Sequence, residues 1–280
     1  MPIAPRATGA GALRRGHGWR RAEFPLARAG RWLRAGFDAA RFYTVLSAFG
    51  IMSLTWSLPA ALLLPMVPRT VRPRVGQFGI MAGFRVYLWI MHVTGVGRFD
   101  LSALDTLADQ GAMVIVANHR SLIDAVLIIS RLPRVVCIAK ASLWDSAFLG
   151  GGIRMAGYIR NDAPLRLIRG AAAALRGGEQ QLLIFPEGTR AAGGELERFK
   201  PGFAVIARAA RVPVQTVLLE SDSPYLRKGW GLFRRPPLPT VFRARLGRRF
   251  EATGDTENFV RELEDYFRNE LARDVTSVVG

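Results

Sequence analysis

The chain has 280 residues, and half of them are hydrophobic, so it can bury a sizeable core and disorder throughout is excluded. Lysine and arginine outnumber aspartate and glutamate by 39 to 22, and the resulting charge of +17 predicts an anionic partner: a nucleic acid, a phospholipid surface or a phosphorylated substrate. The single cysteine, Cys137, permits neither an internal disulfide nor a metal site built on cysteines, and its apolar neighbours indicate a small buried side chain.

The N-terminal segment is basic. Residues 1–41 contain nine arginines and only two acids, together with many glycines and alanines. This composition predicts a basic, partly disordered arm.

The next stretch, residues 42–67, carries no charge over its 26 residues. That length is enough for a helix to cross a hydrocarbon core of about 30 Å. Arginines flank the stretch on both sides and Pro59 and Pro65 interrupt it, so a re-entrant or interfacial helix pair fits better than a single span. The aromatic-rich stretch at 78–97 would be the second member of the pair. Residues 42–97 are therefore predicted to form a membrane-associated helical region, the alternative being two core helices of a soluble protein.

From residue 98 to the C-terminus, short apolar runs alternate with helical runs. This alternation predicts one α/β domain over residues 98–280, with a central mixed sheet flanked by helices. Ligands of such sheets usually lie outside the strand ends. The predicted strands are residues 112–117, 135–139, 181–185, 212–219 and 240–246, and the predicted helices are 121–132, 164–178, 202–211 and the amphipathic run 257–274.

A first cluster of polar residues follows the strand predicted at 112–117. If a helix starts near Ser121, the carboxylate of Asp124 in its first turn can fold back to meet the imidazole of His119. A carboxylate on one ring nitrogen fixes the tautomer and raises the basicity of the other nitrogen, as a general base requires. The alternative is that Ser121-x-x-Asp124 is only a helix-capping pattern. Neither a Gly-x-Ser-x-Gly elbow nor a cysteine lies nearby, so the attacking group is expected to belong to a substrate.

A second cluster follows the strand predicted at 181–185, in the sequence LLIFPEGTR. Gly188 allows close approach of the backbone to a ligand, and Arg190 can direct two hydrogen bonds to a phosphate. Glu187 would repel a phosphate, so it is expected to accept from a hydroxyl or to hold Arg190. The alternative is a tight turn with a surface ion pair.

Taken together, Asn118-His119-x4-Asp124 (an HX4D motif) and Phe185-Pro186-Glu187-Gly188-Thr189-Arg190 strongly resemble the lysophosphatidate, or glycerophospholipid, acyltransferase family. The resemblance covers roughly residues 80–250. Lesser blocks agree with it: Lys140 resembles the lysine block of the family, Gly157-Tyr158-Ile159-Arg160 its second motif, and Val212-Pro213-Val214 the start of its fourth.

The resemblance implies a direct acyl transfer without a metal or other cofactor. His119, oriented by Asp124, would deprotonate the hydroxyl of a lysophospholipid, which would then attack the thioester of acyl-CoA or acyl-carrier protein. The acceptor would be bound by a set of polar and glycine residues, namely Glu187, Gly188, Thr189, Arg190, Lys140 and Arg160. The expected acceptor is 1-acylglycerol 3-phosphate, giving phosphatidate.

The same resemblance implies an enzyme of the inner, cytoplasmic membrane whose site faces the cytoplasm and whose basic, apolar N-terminal region contacts an anionic membrane surface. Removal of residues 1–74 is expected to leave the chemistry intact. Two alternatives remain open: a different acceptor (glycerol 3-phosphate, another lysophospholipid or a lyso-amino-acid lipid) and, outside enzymes, a basic nucleic-acid-binding protein, although the sequence contains no recognisable nucleic-acid motif.

Overall fold

The computed structural model describes residues 25–190 and 196–277. The chain divides into two compact units, residues 1–37 and residues 38–280. In the first unit, the described residues form the start of a long helix. The second unit contains the sheet and both sequence motifs. The helices and strands of the described residues, in chain order, are α1 (Pro25–Leu63), α2 (Arg72–Val93), β1 (Gly97–Asp100), β2 (Met113–Ala117), α3 (Asp124–Ile129), β3 (Val135–Lys140), α4 (Ala141–Trp144), α5 (Gly150–Met155), β4 (Ile159–Asn161), α6 (Pro164–Arg176), β5 (Gln181–Ile184), α7 (Gly202–Ala210), β6 (Val214–Ser221), β7 (Thr240–Phe250) and α8 (Thr256–Ser277).

The seven strands form one mixed sheet in the order β1-β7-β6-β2-β5-β3-β4. Neighbouring strands are parallel except β6 and β7, which are antiparallel. This arrangement confirms the predicted fold class, and all five predicted strands are present. The two strands that the sequence analysis missed, β1 and β4, are the short strands at the edges.

The sheet is covered on both faces, so its central strands are buried throughout. All five residues of β2 are buried, as expected for a parallel strand between two layers of helices. Alternate residues point to opposite faces: Met113, Ile115 and Ala117 join one core and Val114 and Val116 join the other. The first core includes residues of α1, α2, α3 and α5, and the second includes residues of α6, α7 and α8.

The N-terminal helices differ from their predicted bounds. The predicted arm lies partly outside the described residues, and from Pro25 onward the chain is helical, through Pro59 to Leu63. α2 begins at Arg72, earlier than the predicted 78, and ends at Val93, where the chain turns into β1. In the part of the chain that the structure describes, Gly30–Leu63 is the one segment long and apolar enough to cross a membrane, and only 17% of its most apolar window is buried.

Helix α1 nevertheless contributes to the core. Phe42, Val45 and Ala60 are buried, and Phe42 packs edge-on against Tyr225 from the far end of the sequence. Removing residues 1–74 would therefore open the first core, contrary to the expectation from sequence that the catalytic domain could stand without them.

Candidate active site

The two sequence motifs meet at one edge of the sheet. β2 and β5 are parallel neighbours, with Val116 opposite Ile184, so the turns that follow them emerge side by side. His119 lies in the first of these turns and Glu187 in the second. Residues far apart in the chain thus form one site at the carboxyl ends of the strands, where ligands of such sheets bind.

His119 and Asp124 are in direct contact. The Nδ1 atom of His119 lies 3.0 Å from Oδ2 of Asp124, whose side chain is buried while the imidazole is partly exposed. Because a carboxylate only accepts, Nδ1 carries the ring proton and Nε2 keeps a lone pair. Phe185 stacks on the imidazole, with ring centroids 4.2 Å apart, and so fixes its plane.

Asp124 also organises the turn itself. Its Oδ2 atom accepts from the backbone N–H groups of Arg120 and Ser121, each at 2.7 Å. Helix α3 begins at Asp124 rather than near Ser121, which leaves residues 119–123 free to wrap around this carboxylate. The two interpretations of Asp124, as an orienting group and as a turn-capping group, are therefore compatible: one oxygen does both.

The turn is anchored to the neighbouring strand β6. The buried side chain of Asn118 donates to the carbonyl of Leu219 at 2.9 Å and accepts from its N–H at 2.8 Å. The hydroxyl of Ser121 donates to the carbonyl of Tyr225 at 2.8 Å. These contacts hold the turn that carries His119 in place from the side opposite β5.

Glu187 bridges the two motifs. The side chain is only 3% exposed, and it accepts from the N–H of His119 at 2.7 Å and from the N–H of Glu197 at 3.3 Å. Burial raises the pKa of Glu187, and these two N–H donors and the imidazole partly offset that rise. Both contacts are with backbone N–H groups, and Arg190 donates instead to the carbonyls of Leu226 and Arg227, so Glu187 does not hold Arg190. The other expectation, that Glu187 accepts from a hydroxyl, stays a prediction.

Gly188 adopts a left-handed backbone conformation with φ of +72°. A Cβ atom at this position would lie 2.6 Å from Nζ of Lys200, whose side chain crosses directly over the turn. The N–H of Lys200 donates to the carbonyl of Pro186 at 2.9 Å, which fixes its backbone against the motif. Glycine is thus favoured by the left-handed backbone, and the flexible side chain of Lys200 lies in the space that a Cβ atom would occupy. The sequence analysis missed Lys200 because it lies well after the motif.

Arg190 and Thr189 complete the second turn. Nη1 of Arg190 donates to the carbonyls of Leu226 at 2.8 Å and Arg227 at 3.2 Å, so this side chain ties the turn to the connection between β6 and β7. Thr189 is exposed, and its hydroxyl donates to the carbonyl of Arg190 at 3.1 Å.

Lys140 and Arg160 lie at the same sheet edge but further away. β3 and β4 are the second and third strands from β2 in the sheet order, which places them about 10 and 14 Å from β2 at a spacing of about 4.8 Å per strand. Lys140 is exposed. Arg160 lies 3.2 Å from Asp145 and 3.7 Å from Asp162, so its charge is already compensated.

An apolar cavity of about 380 Å³ lies beside the catalytic turn. It is lined by side chains of α1, α2, α3, β3 and α5, among them Leu122 and Ala125 next to the turn and Trp56, Tyr87 and Ile153 further in. Cys137 also lines it, and burial raises the pKa of this thiol to about 12, so it is not a thiolate nucleophile.

Comparison with known proteins agrees with this geometry. A family model described as Acyltransferase matches residues 98–220, the part that carries both motifs. Over 218 residues the chain is 26% identical to a 1-acyl-sn-glycerol-3-phosphate acyltransferase of Cocos nucifera, covering 76% of this chain and 68% of that protein. It is 33% identical over 135 residues to the protein of the same name from Helicobacter pylori, covering 45% of this chain and 54% of that one.

A solved structure has the same fold. The crystal structure of the 1-acyl-sn-glycerophosphate acyltransferase PlsC of Thermotoga maritima superposes with a TM-score of 0.59 at 21% identity, covering 86% of this chain and 98% of that chain. The likeness extends the shared fold beyond the matched family region to the N-terminal helices and the C-terminal part of the chain.

Proposed function

We propose that the chain, which a family model described as Acyltransferase matches over residues 98–220, transfers a fatty acyl group from a thioester to the free hydroxyl of 1-acylglycerol 3-phosphate, giving phosphatidate. The observation that carries the proposal is the buried Asp124 carboxylate against Nδ1 of His119, which leaves Nε2 of the neutral imidazole to act as the proton acceptor. The other members of the site support this pair.

In the proposed reaction, Nε2 of His119 takes the proton of the acceptor hydroxyl while the oxygen attacks the carbonyl carbon of the thioester. The C–O bond forms and the C–S bond breaks. The imidazolium then returns the proton to the leaving sulfur, which departs as a thiol. Asp124 stabilises the imidazolium formed in between. Both acyl-CoA and acyl-carrier protein supply such a thioester, and both are proposed donors.

The acceptor phosphate is proposed to lie over the second turn. There, Nζ of Lys200 lies over Gly188, Thr189 is exposed next to it in the chain, and Lys140 is the exposed last residue of β3. Arg190 contributes its charge while holding the connection after β6. Glu187 accepts from the N–H of His119, so we propose that it supports the turn and does not contact the phosphate.

The acyl chain and the membrane are proposed to meet the enzyme on the side of α1 and α2. The apolar cavity opens beside the catalytic turn on this side, and each methylene buried there contributes about 0.8 kcal/mol. α1 also presents exposed apolar side chains, among them Ile51, Leu58 and Leu62. We therefore propose an anchored enzyme of the inner membrane with its site facing the cytoplasm, where acyl thioesters are available.

The function is tested with the purified full-length protein in detergent and in vesicles, supplied with a labelled acyl thioester. The acceptors are 1-acylglycerol 3-phosphate, glycerol 3-phosphate and lysophospholipids with other head groups. We expect transfer to 1-acylglycerol 3-phosphate to exceed transfer to each of the others, and the His119→Ala variant to lose it. Preferred transfer to another acceptor would reassign the substrate. If the His119→Ala variant were as active as the unsubstituted protein, His119 would not be the base.

A further inference from the structure

The connection between β6 and β7, residues 222–239, is not used by the proposed reaction. It carries four basic residues, Arg227, Lys228, Arg234 and Arg235, against one acid, Asp222. Between the basic pairs lie two large apolar side chains, Leu232 and Phe233, which are 47% and 69% exposed. An exposed apolar pair flanked by cations is costly in water and indicates a contact that the isolated chain does not provide.

The apolar pair sits on a fixed turn, here called the 230–234 tip. The indole N–H of Trp230 donates to the carbonyl of Arg234 at 2.8 Å, and the N–H of Arg234 donates to the carbonyl of Gly231 at 2.9 Å. The guanidinium of Arg234 lies 4.4 Å from the centroid of the Trp230 ring. Leu232 and Phe233 are therefore presented at the apex of a closed turn rather than on a loose loop.

The tip is joined to the outward side of α1. The hydroxyl of Tyr43, an exposed residue of α1, donates to the carbonyl of Phe233 at 3.2 Å. Further along the same helix, Ile51 and Leu58 are also exposed. The tip thus contacts the same helix that carries the exposed apolar side chains by which α1 is proposed to meet the membrane.

We propose that the 230–234 tip inserts Leu232 and Phe233 into the interface of an anionic phospholipid leaflet, while the arginine and lysine side chains beside it contact lipid phosphates. Apolar and aromatic side chains flanked by basic ones are the composition that binds such interfaces. An acidic carrier protein could also contact these side chains, but the hydrogen bond of the tip to α1, which carries further exposed apolar side chains, favours a lipid surface. The inference rests on the proposed membrane location of the enzyme.

The same segment also supports the active site. The carbonyl of Tyr225 accepts from the Ser121 hydroxyl, and the carbonyl of Leu226 accepts from the N–H of Leu122 at 3.2 Å and from Arg190. Insertion of the tip would consequently place the catalytic turn next to the lipid interface in which the acceptor lies, on the side where the apolar cavity opens.

The experiment measures insertion directly. Cys137, the single cysteine, stays a thiol near neutral pH because its pKa is raised to about 12, so a cysteine placed by Phe233→Cys can be labelled selectively with an environment-sensitive fluorophore. The unsubstituted protein provides the background of labelling. The matched control is Leu165→Cys: Leu165 is 59% exposed, and it lies on α6, which packs on the opposite face of the sheet.

In vesicles of phosphatidylethanolamine and phosphatidylglycerol, we expect a blue-shifted emission and strong quenching by lipid-borne quenchers at position 233 and neither at 165. Equal quenching at both positions, or none at 233, would overturn the proposal. The test uses no turnover, so its result is independent of whether 1-acylglycerol 3-phosphate is the acceptor.

A second variant connects insertion to activity. Leu232→Ser combined with Phe233→Ser should lower transfer to an acceptor in vesicles by about 10-fold or more, from the loss of two apolar side chains at the interface. Transfer to a short-chain, monomeric acceptor should stay within about 2-fold, which also reports an intact fold. If the double variant instead impaired only transfer from acyl-carrier protein and not from acyl-CoA, the tip would be a carrier-docking surface and the membrane proposal would be wrong.

Discussion

The backbone N–H of His119 donates to the carboxylate of Glu187 at 2.7 Å, across 68 residues of sequence. This partly buried hydrogen bond joins the turn that carries the proposed base to the turn that is proposed to bind the acceptor phosphate. We therefore expect the acid of the second motif to act on the shape of the site rather than on the substrate. Its contact explains how two motifs at the ends of neighbouring strands keep a fixed distance.

We predict that Glu187→Ala lowers kcat while the acceptor KM changes little. The substitution leaves the N–H groups of His119 and Glu197 without their acceptor, at a cost of about 1–3 kcal/mol for each buried donor. Steady-state kinetics and urea unfolding in detergent measure the two effects. Glu187→Gln should be milder, because its amide oxygen can still accept from one donor. A raised acceptor KM at unchanged kcat would mean that Glu187 contacts the substrate after all.

The raised pKa of Glu187 also predicts that the stability of the protein depends on pH. Burial raises its pKa above the ordinary value of 4.5, so the folded protein holds this proton at a pH where the unfolded chain has released it. The contribution of Glu187 to the free energy of unfolding is therefore largest below about pH 4.5 and falls as the pH rises through the raised pKa. We expect the unsubstituted protein to lose stability relative to the Glu187→Gln variant as the pH rises from 4. Unfolding free energies of both proteins, measured over this pH range, test this. A pH-independent difference would contradict the prediction.

For Asp124, a pair of variants separates orientation from capping. Asp124→Asn keeps one oxygen that can accept from the N–H groups of Arg120 and Ser121, but it cannot stabilise an imidazolium at His119. We expect this variant to fold normally and to lose about two to four powers of ten in kcat, as His119→Ala should. Asp124→Ala should in addition lower the melting temperature, because two backbone donors lose their partner. If Asp124→Asn remained fully active, the carboxylate would serve the turn alone.

The contact of His119 with Asp124 could be predicted from the sequence, because a turn followed by a helix brings residues five apart together. It was insufficient for the contacts of Glu187 and Asn118, which cross 68 and 101 residues and depend on the order of strands in the sheet. Lys200 was missed because its position over Gly188 depends on the folded structure, and no pattern near the motif indicates it. Arg160 was expected to bind the substrate; Asp162 is its neighbour in the sequence, but the contact with Asp145, fifteen residues earlier, could not be predicted from local sequence.

Most of the fold could also be predicted from patterns in the sequence. Central strands such as β2 and β6 are buried apolar runs, and they were predicted with small errors at their ends. The edge strands β1 and β4 have four and three residues, too few to show a periodic pattern. The contribution of α1 to the core could not be predicted either, because a charge-free sequence does not show which face of the helix packs against protein and which faces lipid.

Three cations at this edge of the sheet, Lys200, Lys140 and Arg160, are predicted to differ in importance. Lys200→Met should raise the KM of the acceptor by about 10-fold or more with a smaller effect on kcat, since it removes a charge-assisted contact to phosphate. Lys140→Met, the matched lysine substitution about two strands from His119, should have a smaller effect. Arg160→Gln should change the acceptor KM least, because its partners are Asp145 and Asp162. The reverse order of effects would move the phosphate toward β4.

The final prediction concerns the two faces of α1. Ile51, Leu58 and Leu62 are exposed, and their spacing of seven and four residues places them on one side of the helix, whereas Phe42 is buried in the core. Replacing the three exposed residues by asparagine should leave the melting temperature in detergent and the transfer to a short-chain acceptor nearly unchanged.

In vesicles, the same triple variant should lose most transfer to a bilayer-embedded acceptor, because three apolar side chains at the lipid contact are replaced by polar ones. Phe42→Ala is the contrasting variant: the loss of a buried phenyl ring costs about 3–5 kcal/mol, so activity on both acceptors should fall together with stability. If the triple variant instead unfolded as Phe42→Ala does, α1 would be a core helix on both faces, and the exposed side chains would have to pack against protein. If it kept full activity in vesicles, the membrane contact would lie elsewhere than on α1.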